Sequence, residues 1–216
     1  SELADSATRG IRAGGATVID VGLATTPMFN FAVASDESID AGLMVTASHN
    51  PAEYNGFKLV SRGARPIGIN TGMKDIARFV KEGRGDEMTL ASSKGGQESL
   101  SVQEKYLDKI FALAGNFSAS KMPVVFDVGK GMVGVPLTNF VLRAGFQAKI
   151  LYGEVDCTFP NHEANPVKEE TLAELKRAVA AGGARFGAAF DGDGDRVGFV
   201  DEGGERVAGD ILAAFL

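Results

Sequence analysis

Short apolar runs and amphipathic segments alternate along almost the whole chain, and this alternation constrains its fold more than any other feature. Residues 186–190 have the length and apolar character of a buried strand, whereas residues 73–81 place apolar side chains at helical spacing. Strands separated by helices are typical of α/β folds with mostly parallel sheets. We therefore predict two consecutive α/β domains with mixed, mostly parallel sheets flanked by helices.

The same patterns predict the individual elements and the domain limits. Predicted strands are 17–21, 43–46, 57–60, 124–128, 149–152, 186–190 and 197–200. Predicted helices are 2–12, 26–35, 73–81, 100–113, one ending at 144, 169–181, and one beginning at 209. A polar, glycine-rich stretch at 83–96 is interpreted as an interdomain linker. The expected domains are 1–95 and 96–206, with 207–216 as the start of a third, because both chain ends read as helix interiors.

Composition excludes some classes of function. The net charge of −6 argues against a nucleic-acid-binding protein, which normally carries a basic patch or stripe. No apolar run has the length needed to cross a bilayer, so no membrane partner is expected. The single cysteine, Cys157, cannot form an intrachain disulfide and favours a reducing, cytoplasmic compartment.

The most informative hexapeptide is DGDGDR at 191–196, which lies between two predicted strands. In extended backbone alternate residues point to one side, so Asp191, Asp193 and Asp195 start on one face, and the intervening glycines let the loop curl. Carboxylates this close repel each other, and a hard divalent cation with oxygen ligands, Mg²⁺ or Ca²⁺, would hold them together. Arg196, directly after the cluster, is suited to bind phosphate.

Two other interpretations of this loop stay open. An EF-hand also begins with alternating aspartates, but it needs glycine at the sixth position, where this chain has Arg196, and helices rather than strands on both sides. A solvated acidic turn without a metal is the simpler alternative.

A second candidate loop, VTASHNP at 45–51, follows a predicted strand. Asn50-Pro51 forces a turn, and Ser48 is expected at the carboxyl end of a parallel strand, where open α/β sheets bind ligands. A serine hydrolase using His49 is a weak alternative, because the G-x-S-x-G elbow is missing and adjacent residues seldom face each other. Both residues could equally be loop residues that cap backbone groups.

A phosphate group would link the two loops. Phosphoserine carries about −1.5 to −2 charges, so Ser48 could hold phosphate beside three aspartates only with a bridging metal. Lys58 could supply a second positive charge or a proton, although taken alone it reads as a solvated surface lysine.

Together these motifs resemble the α-D-phosphohexomutase superfamily. The stretch VTASHNPAEYNGFK at 45–58 is similar to its active-site signature, DGDGDR to its metal loop, and TFPNHEANP at 158–166 to a segment of its second domain. The string at 58–72 resembles bacterial phosphomannomutases, including those that also act on glucose phosphates. Glu163 and Ala164 stand where the family often has His and Pro, a difference expected to be structural.

The resemblance implies an enzyme that moves phosphate between the 1- and 6-positions of a hexose phosphate, with hexose 1,6-bisphosphate as intermediate. It implies that Ser48 is the phosphoserine and a metal ligand through its phosphate. One Mg²⁺ would be held by Asp191, Asp193 and Asp195. Lys58 would be a general acid or base that also binds substrate, His49 would orient the serine or substrate, and Arg196 would contact phosphate. The resemblance also implies a four-domain enzyme, so that this chain would be part of it and the remaining domains of the same enzyme are expected to recognise the sugar.

Two further alternatives concern function. Residues 129–134 match G-x-G-x-x-G after a predicted strand, the fingerprint of a dinucleotide-binding oxidoreductase, although Asp127 and Pro136 argue against it. The chain could also be a non-catalytic metal-binding fragment, because it lacks the segments that would choose the sugar. No role is assigned to His162 beyond hydrogen bonding within its loop.

Overall fold

The structure is a computed structural model that describes residues 1–51, 53–83, 91–115 and 117–214. The chain divides into two compact units. Unit 1 comprises Ser1–Gly22, Met28–Thr46 and Gly56–Val102, and unit 2 comprises Leu23–Pro27, Ala47–Asn55 and Gln103–Leu216. Two short segments from the N-terminal half of the sequence therefore belong to unit 2, and one of them carries Ser48.

Unit 1 contains two small sheets. Its elements are α1 (Glu2–Ala13), β1 (Val18–Asp20), the greater part of α2 (Thr26–Ser35), β2 (Ala41–Val45), β3 (Phe57–Ser61), β4 (Arg65–Pro66), α3 (Met73–Lys81) and β5 (Gln97–Ser99). Strand β1 pairs in parallel with β5, and β2, β3 and β4 form an antiparallel sheet. Phe29 and Val33 of α2 pack against Val60 of β3 to form the core of this unit.

Unit 2 is built around one five-stranded mixed sheet. Its elements are α4 (Gln103–Ala114), β6 (Pro123–Asp127), α5 (Gly134–Ala144), β7 (Gln147–Leu151), α6 (Ala173–Gly182), β8 (Phe186–Phe190), β9 (Val197–Asp201), β10 (Arg206–Val207) and α7 (Gly209–Ala213). The strand order is β10-β9-β8-β6-β7. Strand β6 runs parallel to β7 and β8, whereas β9 is antiparallel to both β8 and β10.

Apolar side chains cover both faces of this sheet. Val125 contributes to a buried cluster with Leu175 and Val179 of α6, whereas Val124 and Phe126 belong to a second cluster with side chains of α5. Successive side chains of β6 thus point to opposite faces, as the period of a strand requires. Burying each large apolar side chain contributes roughly 1.5–3 kcal/mol, so these two clusters fix β6 and β8 beside each other. The loops that follow these two strands consequently lie at the same edge of the sheet.

Most predicted elements are confirmed. All predicted helices and strands occur at their expected places with ends shifted by a few residues, and residues 170–172 form a 3-10 turn before α6. The fold class, mixed α/β with helices flanking the sheets, is confirmed as well, but the sheets are not mostly parallel: among the described strands three pairs are parallel and four are antiparallel. Strands β4, β5 and β10 were not predicted, because runs of two or three mostly polar residues carry no periodicity.

One prediction about strand direction is wrong. Ser48 was expected after a parallel strand, but β2 pairs antiparallel with β3 over its whole length. Residues 46–56 join the two strands, and Thr46 and Gly56 close this connection as a hairpin through a backbone hydrogen bond of 3.0 Å. A parallel pair would instead need a crossover, usually through a helix, that returns the chain to the opposite end of the sheet.

The predicted linker lies partly outside the described residues, which omit 84–90. Its described end, residues 91–96, is hydrogen-bonded to α1: the amides of Ala91 and Gly95 donate to the carbonyls of Ala13 and Arg12. None of the helices in the described part of the chain has the length and apolar character that crossing a bilayer requires.

Candidate metal centre

Three aspartates converge in the loop between β8 and β9. Asp191 and Asp193 are fully buried and Asp195 is exposed, and one carboxylate oxygen from each lies within 4.8 Å of the others. Gly194 has a φ of +74°, which turns the loop back on itself, and its amide donates to the Asp191 carbonyl at 3.1 Å. The flanking elements are strands, so the EF-hand interpretation is wrong. Three hard oxygen donors in this spacing fit a divalent cation such as Mg²⁺ or Ca²⁺.

Arg196 holds the first aspartate in place. Its amide donates to Asp191 Oδ1 and its Nε to Asp191 Oδ2, both at 3.0 Å. Burial raises the pKa of Asp191, repulsion from Asp193 and Asp195 raises it further, and the hydrogen bonds from Arg196 act in the opposite direction. Arg196 Nη2 is buried and finds no hydrogen-bond partner within the described residues, so the guanidinium retains a donor for an anionic group.

Ser48 contacts the loop between β8 and β9 (residues 191–196), which we call the acidic loop. Its Oγ donates to Asp191 Oδ2 over 3.3 Å, and the residue adopts the left-handed conformation with a φ of +56°. For a residue other than glycine this conformation costs on the order of 1–3 kcal/mol and persists only where the surroundings enforce it. A side chain at Gly192 would place its Cβ 2.4 Å from the Ser48 carbonyl oxygen. The backbones of the two loops therefore touch, and glycine at 192 is what permits the contact.

His49 also lies beside the serine. Its Nδ1 is 3.4 Å from Ser48 Oγ, so the expectation that these adjacent residues would not face each other is wrong. That expectation assumed extended backbone, in which successive side chains diverge, but Ser48 is left-handed. The contact does not by itself support the hydrolase alternative, because Asp191 Oδ2 lies 3.3 Å from Ser48 Oγ and competes with the imidazole for the hydroxyl proton.

A further segment contributes to the site and was missed by sequence reasoning. The Thr26 hydroxyl donates to Asp193 Oδ2 at 2.7 Å, and the Thr26 amide donates to the Asp193 carbonyl at 2.8 Å. The sequence suggested only that Thr26 begins a helix, which it does. Two consecutive threonines, Thr25 and Thr26, are both buried, and no local pattern in the sequence reveals their distant partner.

Lys58 is the one sequence-predicted site residue that belongs to unit 1. It lies on β3, opposite Met44 of β2, and is half-buried. Ser48, His49, the three aspartates and Arg196 all belong to unit 2.

The glycines at 129–134 serve backbone packing. A Cβ at Gly131 would lie 2.9 Å from the Gly192 carbonyl oxygen, and one at Gly134 would lie 2.2 Å from the Gly153 carbonyl oxygen. The Met132 amide donates to the Gly192 carbonyl at 2.8 Å, so it is already used within the protein. A dinucleotide loop needs such amides for the pyrophosphate, and the structure therefore argues against the oxidoreductase alternative.

The segment at 158–166 is held by hydrogen bonds. His162 Nε2 lies 3.1 Å from Asp127 Oδ2, and its Nδ1 lies 2.9 Å from the Glu163 carbonyl oxygen, in agreement with the expected hydrogen-bonding role. The bond to Asp127 raises the pKa of His162, and burial opposes this shift. Glu163 forms an ion pair with Lys168 at 2.5 Å and accepts from Asn165 at 3.1 Å, which is a structural role.

Comparison with known proteins identifies related sequences. Residues 1–86 match the family model described as phosphoglucomutase/phosphomannomutase, alpha/beta/alpha domain I, and residues 104–204 match domain II of the same family. The chain is 33% identical over 214 residues to the phosphomannomutase of Salmonella typhimurium, covering 96% of the chain and 46% of that protein. It is 37% identical over 212 residues to the phosphomannomutase/phosphoglucomutase of Pseudomonas aeruginosa, covering 98% and 43%.

Comparison with solved structures identifies a related protein of the same family. The chain superposes on a phosphoglucomutase/phosphomannomutase family protein from Burkholderia thailandensis with a TM-score of 0.83 and 31% identity, covering 97% of the chain and 45% of that protein. The chain thus spans less than half the length of each of these three relatives.

Proposed function

The chain belongs to the phosphoglucomutase/phosphomannomutase family, of which it contains domains I and II, and on that premise we propose that it is part of a phosphohexomutase. The proposed reaction is the reversible transfer of phosphate between the 1- and 6-positions of a hexose phosphate, through a phosphoserine at Ser48 and a hexose 1,6-bisphosphate intermediate. Mannose and glucose phosphates are the proposed substrates, because the relatives are named phosphomannomutase or phosphomannomutase/phosphoglucomutase.

The observation that carries this proposal is the 3.3 Å contact between Ser48 Oγ and Asp191 Oδ2. A hydroxyl at the edge of three clustered carboxylates is an unfavourable place for a phosphate group unless a cation is present. We propose that Asp191, Asp193 and Asp195 hold one Mg²⁺ together with an oxygen of the Ser48 phosphate. When bound, the cation neutralises charge on the transferring phosphoryl group.

The protein's own residues would position and neutralise the phosphoryl group, which is most of what catalysis of phosphoryl transfer requires. Arg196 fixes Asp191 through Nε, and its buried Nη2 can donate to a phosphate oxygen. His49, with Nδ1 3.4 Å from Ser48 Oγ, can orient that oxygen. Lys58 is proposed as the general acid or base for the sugar hydroxyl.

The atoms of the proposed reaction balance over two transfers. In the first, the P–O bond at Ser48 breaks, a new P–O bond forms at the free hydroxyl of the hexose phosphate, the general base takes the hydroxyl proton, and the Ser48 oxygen that leaves takes up a proton. After the bisphosphate turns over, its other phosphate is transferred to Ser48, the Ser48 hydroxyl loses its proton, and the sugar oxygen left behind is protonated by the general acid. Serine is phosphorylated again at the end, so no phosphate is consumed.

Other parts of the longer protein are proposed to recognise the sugar and its second phosphate. The 216 residues alone would then bind Mg²⁺ but turn over hexose phosphate slowly, as the alternative of a non-catalytic fragment implies. A cytoplasmic location belongs to the proposal and is supported by the single cysteine, which fits a reducing compartment.

Phosphopeptide mapping tests the central assignment. The chain is incubated with glucose 1,6-bisphosphate and Mg²⁺, digested, and analysed by mass spectrometry. Phosphate is expected on the peptide that contains Ser48, absent in Ser48→Ala and retained in Ser61→Ala, a serine of β3 in unit 1. Phosphate on another residue, or undiminished labelling of Ser48→Ala, would overturn the proposal.

A further inference from the structure

The segment Leu23–Pro27 is hydrogen-bonded to the acidic loop through the pair Thr26 and Asp193. Thr26 and Asp193 are 167 positions apart in sequence, both are buried, and two hydrogen bonds join them. One bond, of 2.7 Å, runs from the hydroxyl to Oδ2, and the other, of 2.8 Å, runs from amide to carbonyl. The carboxylate and the main chain of Asp193 are thus held by the same neighbour, which restricts both the position of the loop and the rotation of the side chain.

Packing adds to these bonds. A Cβ at Gly194 would lie 3.2 Å from Thr25 Cγ2 and 2.6 Å from Val133 Cγ2, so these side chains enclose the backbone that follows Asp193. Thr25 and Thr26 are 3% and 6% exposed, which means that the contact is fully withdrawn from solvent. A loop enclosed in this way cannot adjust its aspartate freely to different cations.

Asp191 and Asp193 are oriented by different donors. Asp191 is bonded to the charged guanidinium of Arg196, whereas Asp193 accepts from the neutral hydroxyl of Thr26. The bond from Thr26 fixes the plane of the Asp193 carboxylate before a cation binds.

We infer that Thr26 is a positioning residue of the metal centre, whose hydroxyl fixes the Asp193 carboxylate in the orientation that a small divalent cation requires. This inference rests on the proposed metal-dependent function. Mg²⁺ demands near-ideal octahedral geometry at short distances, whereas Ca²⁺ accepts irregular geometry and longer distances. The hydroxyl of Thr26 should therefore support Mg²⁺ binding more than Ca²⁺ binding.

The test uses the full chain and three variants of one residue. Thr26→Val removes the hydroxyl at nearly constant volume, Thr26→Ser keeps the hydroxyl and removes the methyl, and Thr26→Ala removes the hydroxyl without placing a new methyl against Asp193. Titration calorimetry gives the dissociation constants of Mg²⁺ and Ca²⁺ for each variant. Thermal unfolding without metal measures the effect on the fold separately.

Loss of an outer-sphere partner of this kind weakens metal binding by about 10- to 100-fold. We expect Thr26→Val and Thr26→Ala to weaken Mg²⁺ binding by at least about 10-fold and to lower the preference for Mg²⁺ over Ca²⁺. Thr26→Ser should keep both affinities within about twofold of the unsubstituted chain, since its donor remains. Thr26→Ala provides the result if Thr26→Val does not fold.

Two results would overturn the inference, and they differ in what else they overturn. An unchanged ratio of Mg²⁺ to Ca²⁺ affinity in Thr26→Val or Thr26→Ala would leave Thr26 with a purely structural role while the metal centre stands. Failure of the unsubstituted chain to bind either cation, with binding equally absent in Asp193→Asn, would overturn the metal centre together with the role of Thr26.

Discussion

Ser48 Oγ and Asp191 Oδ2 lie 3.3 Å apart, although 143 positions separate the two residues in the sequence. Gly192 makes this approach possible, because its missing side chain leaves room for the Ser48 carbonyl oxygen. The Arg196 amide donates to the other carboxylate oxygen of Asp191, Oδ1, and the Arg196 Nε donates to Oδ2, both at 3.0 Å. The hydroxyl thus meets a carboxylate that is already oriented, and the account of function depends on this arrangement.

Gly192→Ala should disrupt the site more than its small size suggests. The added Cβ would lie 2.4 Å from the Ser48 carbonyl oxygen, and a backbone atom cannot move aside as a flexible side chain can. Overpacking of this kind typically costs about 1–3 kcal/mol, so we expect a loss of about 2 kcal/mol in the free energy of unfolding. Metal affinity should fall as well, because the serine and acidic loops must separate.

Gly182→Ala provides the control for that substitution. Gly182 is the last residue of α6, and a Cβ there would meet nothing within 4 Å. Alanine should be neutral or stabilising by up to about 1 kcal/mol, since it favours helix over glycine. Urea unfolding measures both variants. Equal stability of Gly192→Ala and Gly182→Ala would contradict the backbone contact.

Arg196→Gln should destabilise the metal-free chain more than the Mg²⁺-loaded chain. Asp191 is fully buried and Arg196 is its cationic partner, so the substitution leaves the carboxylate without that charge. We expect a loss on the order of 2 kcal/mol without metal, less than for a pair buried on both sides because Arg196 is partly exposed. Bound Mg²⁺ would restore a positive charge beside Asp191, so the difference in stability between Arg196→Gln and the unsubstituted chain should be smaller with Mg²⁺ than without it.

Arg177→Gln is the matched surface control for Arg196→Gln. Arg177 is 74% exposed and pairs with Glu174 at 3.7 Å, so its loss should change stability by no more than about 0.5 kcal/mol. Thermal unfolding with and without Mg²⁺ compares the two variants. A loss in Arg196→Gln that is the same in both conditions would count against the proposed metal centre.

The Asp127–His162 pair should make stability depend on pH. The bond to Asp127 raises the pKa of His162 in the folded chain. A raised folded pKa adds stability that is complete below the unfolded pKa, near 6.5, and is lost as the pH rises through the folded value. Asp127→Asn removes the carboxylate, so the stability advantage of the unsubstituted chain over this variant should be larger at about pH 5.5 than at about pH 8.5.

Urea unfolding at the two pH values measures this difference directly. The two proteins differ only at residue 127, so the comparison isolates the effect of the Asp127–His162 pair. A stability difference that does not change with pH would show that His162 does not gain its proton through Asp127.

Much of the fold could be predicted because periodicity is a local signal. Strands β6 and β8 are continuous apolar runs, and α3 carries its apolar residues at helical spacing, so each was found with ends correct to within one or two residues. The convergence of the three aspartates could also be predicted, since alternation and glycine act within one hexapeptide. Strand direction could not, as the antiparallel pairing of β2 and β3 shows.

The parts of the site that escaped prediction depend on distant contacts. Thr26 bonds Asp193 across 167 positions, and nothing near Thr26 in the sequence distinguishes it from an ordinary first residue of a helix. The contact between His49 and Ser48 depends on a φ of +56°, which a residue other than glycine seldom adopts and which its surroundings impose. These contacts depend on how separate loops pack in the folded chain, and local sequence patterns carry no information about that packing.

The most direct test of the account asks whether phosphate on Ser48 and the aspartates share one cation. Electron–nuclear double resonance on the phosphorylated chain, with Mn²⁺ in place of Mg²⁺, detects phosphorus that is coordinated to the metal. If the phosphate and the aspartates share one cation, we expect a strong phosphorus coupling that disappears in Ser48→Ala and in Asp193→Asn. Bound Mn²⁺ without phosphorus coupling, in a chain whose Ser48 is phosphorylated by mass spectrometry, would contradict it.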